Sequence, residues 1–108
     1  DARIKQEDPY GPVAIVNRMS SLEDGIEKAN NGPYGLAAYG FTNSAANVEQ
    51  MVDNVEAGQL SINTFDTSQP NTPFGGVKSS GIGREGGAEG LMHYTVVKNV
   101  SFKSVIGS

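Results

Sequence analysis

Cysteine is absent from the 108 residues, and histidine occurs only once. Without cysteine these residues form no disulfide, supply no thiolate nucleophile and build no cysteine metal site. A single histidine makes a metal cluster equally unexpected, so we predict no metal site. A chain of this length also has no room for two lobes with a cleft between them, so a large active site would need other polypeptide.

Long apolar runs and clusters of basic residues are missing as well. No apolar segment approaches the roughly 18 residues of a membrane span, so we expect a soluble protein with no membrane partner. The net charge is −4 and the eight lysines and arginines are scattered, which argues against nucleic acid as a partner. The sequence opens without methionine, signal segment or basic leader, so we expect a piece of a longer, cytoplasmic protein.

Three short apolar runs, residues 13–16, 36–41 and 59–63, have the length and composition of strands buried on both faces. The stretches between them carry apolar residues at helical spacing, on one face of each predicted helix. The order strand, helix, strand, helix, strand with short connections predicts a parallel sheet with right-handed crossovers. We therefore assign the α/β class, with the sheet followed by a glycine-rich loop, a short helix and a terminal strand.

Capping residues set the expected helix boundaries. Ser20 and Glu23 match the Ser-x-x-Glu capping box, in which the hydroxyl and the carboxylate each accept a hydrogen bond from an otherwise unpaired amide. Asn43 or Ser44 can cap the second helix. Gly58 is expected to end that helix in the left-handed conformation.

Residues 73–90 (PFGGVKSSGIGREGGAEG) hold seven of the fourteen glycines. Gly81 to Gly86 match the G-x-G-x-x-G spacing of dinucleotide-binding turns, but no buried strand precedes them and no acidic residue follows about 20 positions later. The glycine density instead indicates backbone that takes positive φ or closely approaches a ligand or another chain segment. Beyond this run we predict a short helix over residues 88–94 and a strand over 95–102, which could join a sheet in another domain or subunit.

Few side chains offer catalytic chemistry. His93 lies in an apolar patch without a positioned partner, which favours a structural role over that of a general base. Glu7 and Asp8 are adjacent and tend to point apart; they form a solvated turn, or one of them accepts hydrogen bonds from a diol such as a ribose. Arg84 and Glu85 form either a surface pair of little energetic weight or a tie within the loop.

The segment directly after the third predicted strand, residues 64–73, is long, polar and proline-bearing. In parallel sheets ligands lie outside the carboxyl ends of the strands, so this segment is a prime location for a site. Phe65 and Phe74 flank it. Each of them, like Tyr10, can be a simple core aromatic, but two aromatics at one polar loop favour an aromatic-lined pocket.

Several short blocks follow one another in a fixed order. They are residues 7–13 (EDPYGPV), residues 34–38 (YGLAA), Asn63 and residues 73–87 (PFGGVKSSGIGREGG). Together they resemble the C-terminal part of the NAD(P)-dependent aldehyde dehydrogenase superfamily, in wording closest to succinate-semialdehyde dehydrogenases and related members. The resemblance covers essentially the whole chain, and the blocks in order are highly specific although each alone is short.

The resemblance implies a reaction in which a cysteine thiolate attacks an aldehyde, hydride passes to the nicotinamide of NAD or NADP, and a glutamate activates the hydrolytic water. In the family, the nucleophile, the glutamate and the nucleotide-binding fold all lie N-terminal to the matched segment. The resemblance therefore implies a fragment of an oxidoreductase that has no catalytic residue of its own and is inactive alone.

The resemblance also implies site residues. Asp8 occupies the place of the acid that hydrogen-bonds the nicotinamide ribose, although the family has the longer glutamate there. Tyr10 stands where a phenylalanine usually lies beside the nicotinamide. Phe74 matches an aromatic at the substrate channel, and Phe65 and Ser68 belong to the loop that lines the aldehyde pocket.

Two parts of the chain follow from the resemblance. Residues 1–94 would be the C-terminal portion of the catalytic domain, and residues 95–108 a terminal strand used in subunit assembly, so that the protein forms a homo-oligomer. Two other interpretations stay open at this point. The chain could be a non-catalytic assembly or interaction module with the same fold, or an unrelated small α/β binding domain.

Overall fold

The structure is a computed structural model that describes residues 2–105. Its helices are α1 (Leu22–Asn30), α2 (Ala45–Asn54) and α3 (Gly87–Leu91), and its strands are β1 (Tyr34–Gly35), β2 (Ala37–Gly40), β3 (Gln59–Ile62) and β4 (Val77–Lys78). Single turns of 3₁₀ helix cover Arg3–Lys5 and Met92–Tyr94. The architecture is mixed α/β, in agreement with the predicted class.

Strands β2 and β3 form a parallel pair, and helix α2 connects them. Ala37 lies opposite Gln59 at one end of the pair, and Gly40 lies opposite Ile62 at the other. The predicted strands over residues 36–41 and 59–63 and the crossover helix between them are therefore present in this part of the chain. A second pair, β1 with β4, is antiparallel and brings Tyr34 opposite Lys78.

The strand predicted over residues 13–16 is not formed, so the β-α-β-α-β order was wrong at its first position. Val13 and Ile15 are exposed, and Val16 is 92% exposed. The apolar run has the composition of a buried strand, but a strand also needs a neighbour for its amides and carbonyls. Within residues 2–105 no segment pairs with it.

The strand predicted over residues 95–102 is also not formed within the described residues. Val96, Val100 and Phe102 are all exposed. The short helix predicted before it is present, as α3 and the following 3₁₀ turn over Met92–Tyr94. Residues 106–108 of the predicted terminal segment lie outside the described residues, as does Asp1.

Helix α1 begins one residue later than the capping box predicted. Ser21, not Ser20, is the N-cap, and its hydroxyl accepts a hydrogen bond from the amide of Asp24 at 3.0 Å. The carboxylate of Asp24, not Glu23, accepts from the amide of Ser20 at 2.8 Å. Two serines in a row and two acids in a row allow both registers, and the structure uses the second.

Helix α2 is capped by Ser44, whose hydroxyl accepts from the amide of Asn47. The helix ends at Asn54, and Gly58 is not its left-handed terminator. Gly58 instead lies so close to the carbonyl of Gly75 that any β-carbon at position 58 would overlap it. The amide of Gly58 donates to the carbonyl of Gly35 at 3.0 Å, directly before β3. Glycine is required here by the close approach of two backbone segments.

Only a small apolar core forms within the described residues, with Ile26 of α1 and Met51 of α2 as its buried apolar side chains. The radius of gyration is 20.2 Å, against about 13 Å for a compact chain of this length. Much apolar side-chain surface is consequently uncovered. No helix among residues 2–105 combines the length and apolarity that crossing a bilayer requires.

Candidate functional site

Asn63 turns the chain out of β3 and into the loop of residues 64–73. Its φ of 61° lies in the left-handed region, which asparagine tolerates better than most residues. Its side-chain amide accepts from the amide of Thr42 at 2.8 Å and donates to the carbonyl of Thr42 at 2.9 Å. Because its own amide also donates to Gly40, Asn63 extends the β2–β3 pairing by one position.

Phe65 folds back from this turn onto β2. Its ring centroid lies 5.4 Å from that of Tyr39 and 5.2 Å from that of Phe41, both in tilted arrangements. Aromatic pairs at such distances attract one another through both dispersion and ring quadrupoles. Tyr39 and Phe41 were not among the predicted site residues, although alternate positions of the predicted strand 36–41 share one face.

The predicted site residues Ser68 and Phe74 line one cleft of about 310 Å³. The rest of its wall consists of Gln69, Pro70, Glu85 and Gly86. Phe65 does not line this cleft. The three residues assigned to the aldehyde pocket are thus divided between a cleft and a neighbouring aromatic cluster.

Backbone pairing fixes Phe74 at the wall of this cleft. The amide of Phe74 donates to the carbonyl of Glu85 at 2.7 Å, and the amide of Glu85 donates back at 2.8 Å. On the preceding side, the side chain of Gln59 on β3 donates to the carbonyl of Pro73 at 2.5 Å. Phe74 is therefore held between the parallel strand pair and the later part of the glycine run.

Arg84 ties the glycine run together, which decides between the two interpretations of the Arg84–Glu85 pair. Its half-buried guanidinium donates through one nitrogen to the carbonyls of Gly76 and Gly83, at 3.0 and 2.9 Å. Its amide donates to Nε2 of His93 at 3.1 Å. The imidazole of His93 thus accepts a backbone hydrogen bond from the glycine run. Gly83, Gly86 and Gly87 take positive φ, so part of the glycine density serves backbone conformation.

Asp8 and Tyr10 line a different and larger cleft, of about 700 Å³, together with β1, β2 and the serines at 79 and 80. Both are exposed, Tyr10 to 94%, and no hydrogen bond or ion pair of either side chain is recorded among residues 2–105. Neighbouring Glu7 pairs with Arg3 at 2.9 Å, an exposed contact of little energetic weight. The structure brings the two predicted cofactor residues together, away from the cleft of Ser68 and Phe74.

Lys78 is a residue whose position could not be anticipated from the sequence. It has a φ of 54°, and its ammonium group donates to the carbonyl of Asn30 at 2.8 Å and contacts the carboxylate of Glu56 at 2.6 Å. These contacts join the end of α1, the connection before β3 and the glycine run. The only hint in the sequence is a charged residue inside an otherwise nearly uncharged segment.

Candidate acid–base and metal groups are sparse across residues 2–105. No three histidine, cysteine or carboxylate side chains come together as a metal site would require. The pKa of Asp24 lies below its ordinary value, chiefly because its carboxylate accepts from the Ser20 amide and also contacts Lys28. Asp24 lies at the start of α1, away from both clefts, so its ionisation belongs to helix capping.

Comparison with known proteins gives a match over nearly the entire chain. A model described as the aldehyde dehydrogenase family matches residues 1–100. Among curated proteins, 4-(hydroxymethyl)benzenesulfonate dehydrogenase of Comamonas testosteroni is 44% identical over 102 residues. That match covers 87% of this chain and 21% of the relative, so the chain spans about a fifth of the length of the curated relatives it matches.

Solved structures give the same fold. A point mutant of betaine aldehyde dehydrogenase from Staphylococcus aureus, solved with NAD+, is 38% identical and superposes with a TM-score of 0.85 over 89% of this chain and 20% of its own. Succinate-semialdehyde dehydrogenase from Burkholderia pseudomallei is also 38% identical, with a TM-score of 0.83 over 89% of this chain and 20% of its own. An unrelated small binding domain would not produce matches of this extent.

Proposed function

This chain belongs to the aldehyde dehydrogenase family, and on that basis we propose that it is the C-terminal part of the catalytic region of an enzyme that oxidises an aldehyde to a carboxylic acid with NAD+ or NADP+. The observation that carries the proposal is the family match over residues 1–100, in a chain that covers only about a fifth of its relatives. The chain contains no cysteine. The nucleophile would therefore come from polypeptide outside these residues, and the 108 residues alone would be inactive.

The residues at 8 and 10 fit a role toward the nicotinamide end of the cofactor. The carboxylate of Asp8 is exposed and has no recorded protein partner among residues 2–105, so it is available to accept hydrogen bonds from a ribose diol. The ring of Tyr10 is equally open and lines the same cleft, where it can pack beside a flat heterocycle. The cofactor, when bound, would accept the hydride. Asp8 and Tyr10 would orient its sugar and ring.

Ser68 and Phe74 would form one wall of the aldehyde pocket. Their shared cleft combines an aromatic face with a hydroxyl, and its wall comes from the loop that follows β3 and from the later part of the glycine run. Phe65 would complete the wall from the side of Tyr39 and Phe41, on which its ring packs. With these residues the chain would shape the pocket and exclude water without performing the covalent step.

The terminal segment from residue 95 would serve subunit assembly in a cytoplasmic homo-oligomer. Its exposed Val96, Val100 and Phe102 lack a covering surface among the described residues. Apolar residues of this kind are typical of a segment that gains a partner on association. Pairing with a second copy would give this segment the strand partner that residues 2–105 do not provide.

The proposal is tested by Asp8→Ala in the whole enzyme. We expect hydride transfer, measured as a single-turnover burst of reduced cofactor, to slow by about tenfold or more, while the Kd for NAD+ or NADP+ changes much less. The reason is that Asp8 would position the nicotinamide sugar, whereas most binding energy would come from contacts elsewhere. Asp53→Ala, which removes an exposed carboxylate from α2, is the matched control.

Two outcomes would count against the proposal. If the whole wild-type protein reduces neither NAD+ nor NADP+ with any aldehyde tested, the dehydrogenase assignment fails and a non-catalytic assembly module becomes the better interpretation. If Asp8→Ala leaves the single-turnover rate unchanged and only weakens cofactor binding, the positioning role of Asp8 fails while the dehydrogenase assignment stands.

A further inference from the structure

His93 is the one histidine of the chain, and its imidazole accepts a backbone hydrogen bond from a different segment. The donor is the amide of Arg84, at 3.1 Å from Nε2. An accepting nitrogen is unprotonated, so Nε2 faces the glycine run with its lone pair. The contact joins the 3₁₀ turn Met92–Tyr94 to the turn at residues 83 and 84.

Gly83 provides a second, independent sign that this contact is built into the fold. A β-carbon at position 83 would lie 2.5 Å from Cε1 and 2.6 Å from Nε2 of His93. Gly83 also takes a φ of 84°, which side-chain-bearing residues rarely adopt. The imidazole therefore lies directly on the backbone at a position where only glycine leaves room for it.

Arg84 and its neighbour Glu85 hydrogen-bond in turn to the first part of the glycine run, at Gly76 and Phe74. The guanidinium of Arg84 donates to the carbonyl of Gly76, two residues after Phe74 in sequence. The next residue, Glu85, exchanges two backbone hydrogen bonds with Phe74, at 2.7 and 2.8 Å. Arg84 and Glu85 are adjacent, so a shift of the Arg84 backbone would move Glu85 and, through these two hydrogen bonds, Phe74.

We propose that His93 is a positioning residue for the aldehyde pocket, acting through Arg84 and Glu85 on Phe74. The inference rests on the proposed function, because Phe74 matters to catalysis only if it borders the aldehyde. His93 touches neither cleft wall directly. It holds the backbone that carries Phe74, so its loss should affect the fit of the aldehyde more than the chemistry or the cofactor.

The test compares His93→Leu with His93→Gln in the whole enzyme. Leucine cannot accept the Arg84 amide, whereas the glutamine side-chain oxygen reaches about as far as Nε2 and can. For an aldehyde that the wild type oxidises, chosen from acetaldehyde, benzaldehyde and succinic semialdehyde, we expect His93→Leu to raise KM by about threefold to tenfold. The kcat and the KM for the nicotinamide cofactor should stay within about twofold, and His93→Gln should restore the aldehyde KM.

Hydrogen exchange of the Arg84 amide gives a readout that does not depend on activity. Protection should fall in His93→Leu and return in His93→Gln, whereas Met92→Leu, a neighbouring exposed position, should leave both exchange and KM unchanged. An unchanged aldehyde KM in His93→Leu, or equal losses in kcat and both KM values without rescue by glutamine, would overturn the positioning role. Absence of dehydrogenase activity in the wild type would instead overturn the proposed function beneath it.

Discussion

The middle of the chain, from β1 to α3, differs sharply from the flanking segments at residues 2–20 and 95–105. In the middle, backbone amides and carbonyls find partners in β2–β3, in β1–β4 and in the Phe74–Glu85 bridge. The flanks contain apolar runs of similar composition but form no strand within the described residues. The side chains of these runs are exposed, for example Val16 at 92% and Phe102 at 89%.

The difference shows that apolar composition selects a segment for burial but does not provide the surface that buries it. Leu60 of β3 is half-buried and lies opposite Ala38 of β2. Val96 has comparable strand propensity, yet it is exposed because nothing in the described residues faces it. Among the described residues, the middle region therefore pairs its own backbone into strands, whereas the flanks do not.

Gly58→Ala is expected to have the largest effect on this difference between the middle region and the flanks. The new β-carbon would overlap the carbonyl of Gly75, and backbone cannot move aside as a flexible side chain can. We expect the opening free energy of β2 and β3, measured by hydrogen exchange of the whole protein, to fall by at least about 3 kcal/mol. Gly11→Ala in the flank meets nothing within 4 Å and should have no such effect. Equal protection in both variants would contradict the contrast.

A smaller effect is expected from Asn63→Ala, which removes both side-chain hydrogen bonds to Thr42 and leaves alanine at a φ of 61°. Protection of the β2 and β3 amides should fall by about 2 kcal/mol. Asn63→Gly keeps the left-handed backbone without strain and should lose about half as much. Asn99→Ala, in the exposed terminal flank, serves as the matched change and should leave protection unaltered. If Asn63→Gly is as damaging as Asn63→Ala, strain is not part of the cost.

The smallest effect concerns the start of α1 and depends on pH. The pKa of Asp24 is lowered from 3.8, so the stability due to its charged form is fully present above that pH and is lost as pH falls through the lower, folded value. Asp24→Asn should reduce protection of α1 at neutral pH and make it less sensitive to acid. Asp8→Asn, in the flank, removes a carboxylate without a recorded hydrogen bond and should leave the acid response of α1 unchanged. An α1 response identical in wild type and Asp24→Asn would refute the capping role of the carboxylate.

Elements of the middle region could be predicted because their signals are local. The alternation of apolar runs and helical periods indicated β2, α2 and β3, and Ser44 capped α2 as one of the two candidates. The strand at residues 13–16 was wrong because an apolar run forms a strand only where a second segment pairs with it. The strand at residues 95–102 stays a prediction, because its expected partner is another domain or subunit. The cap of α1 was displaced to Ser21 because neighbouring serines and acids allow two registers of equal quality.

The candidate site was predictable in part. Ser68 and Phe74 were assigned to one pocket through the resemblance to the family, and the structure places both at one cleft. Three contacts could not be predicted from the sequence. They are the packing of Phe65 on Phe41 instead of in the cleft of Ser68 and Phe74, the hydrogen bonds between Asn63 and Thr42, and the hydrogen bond between Arg84 and His93. Each of these depends on which residues become neighbours after folding, and sequence spacing does not contain that information.

The bridge between Phe74 and Glu85 has a practical consequence for protein engineering. It joins the two ends of a loop whose tip carries the fully exposed Ile82. Once the ends are held, the entropy of the loop grows only with the logarithm of its length, and doubling the length costs about 0.6 kcal/mol. A short reporter peptide or an affinity epitope inserted between Gly81 and Ile82, on the side away from Gly83 and Arg84, would therefore project into solvent while Phe74 keeps its place at the cleft.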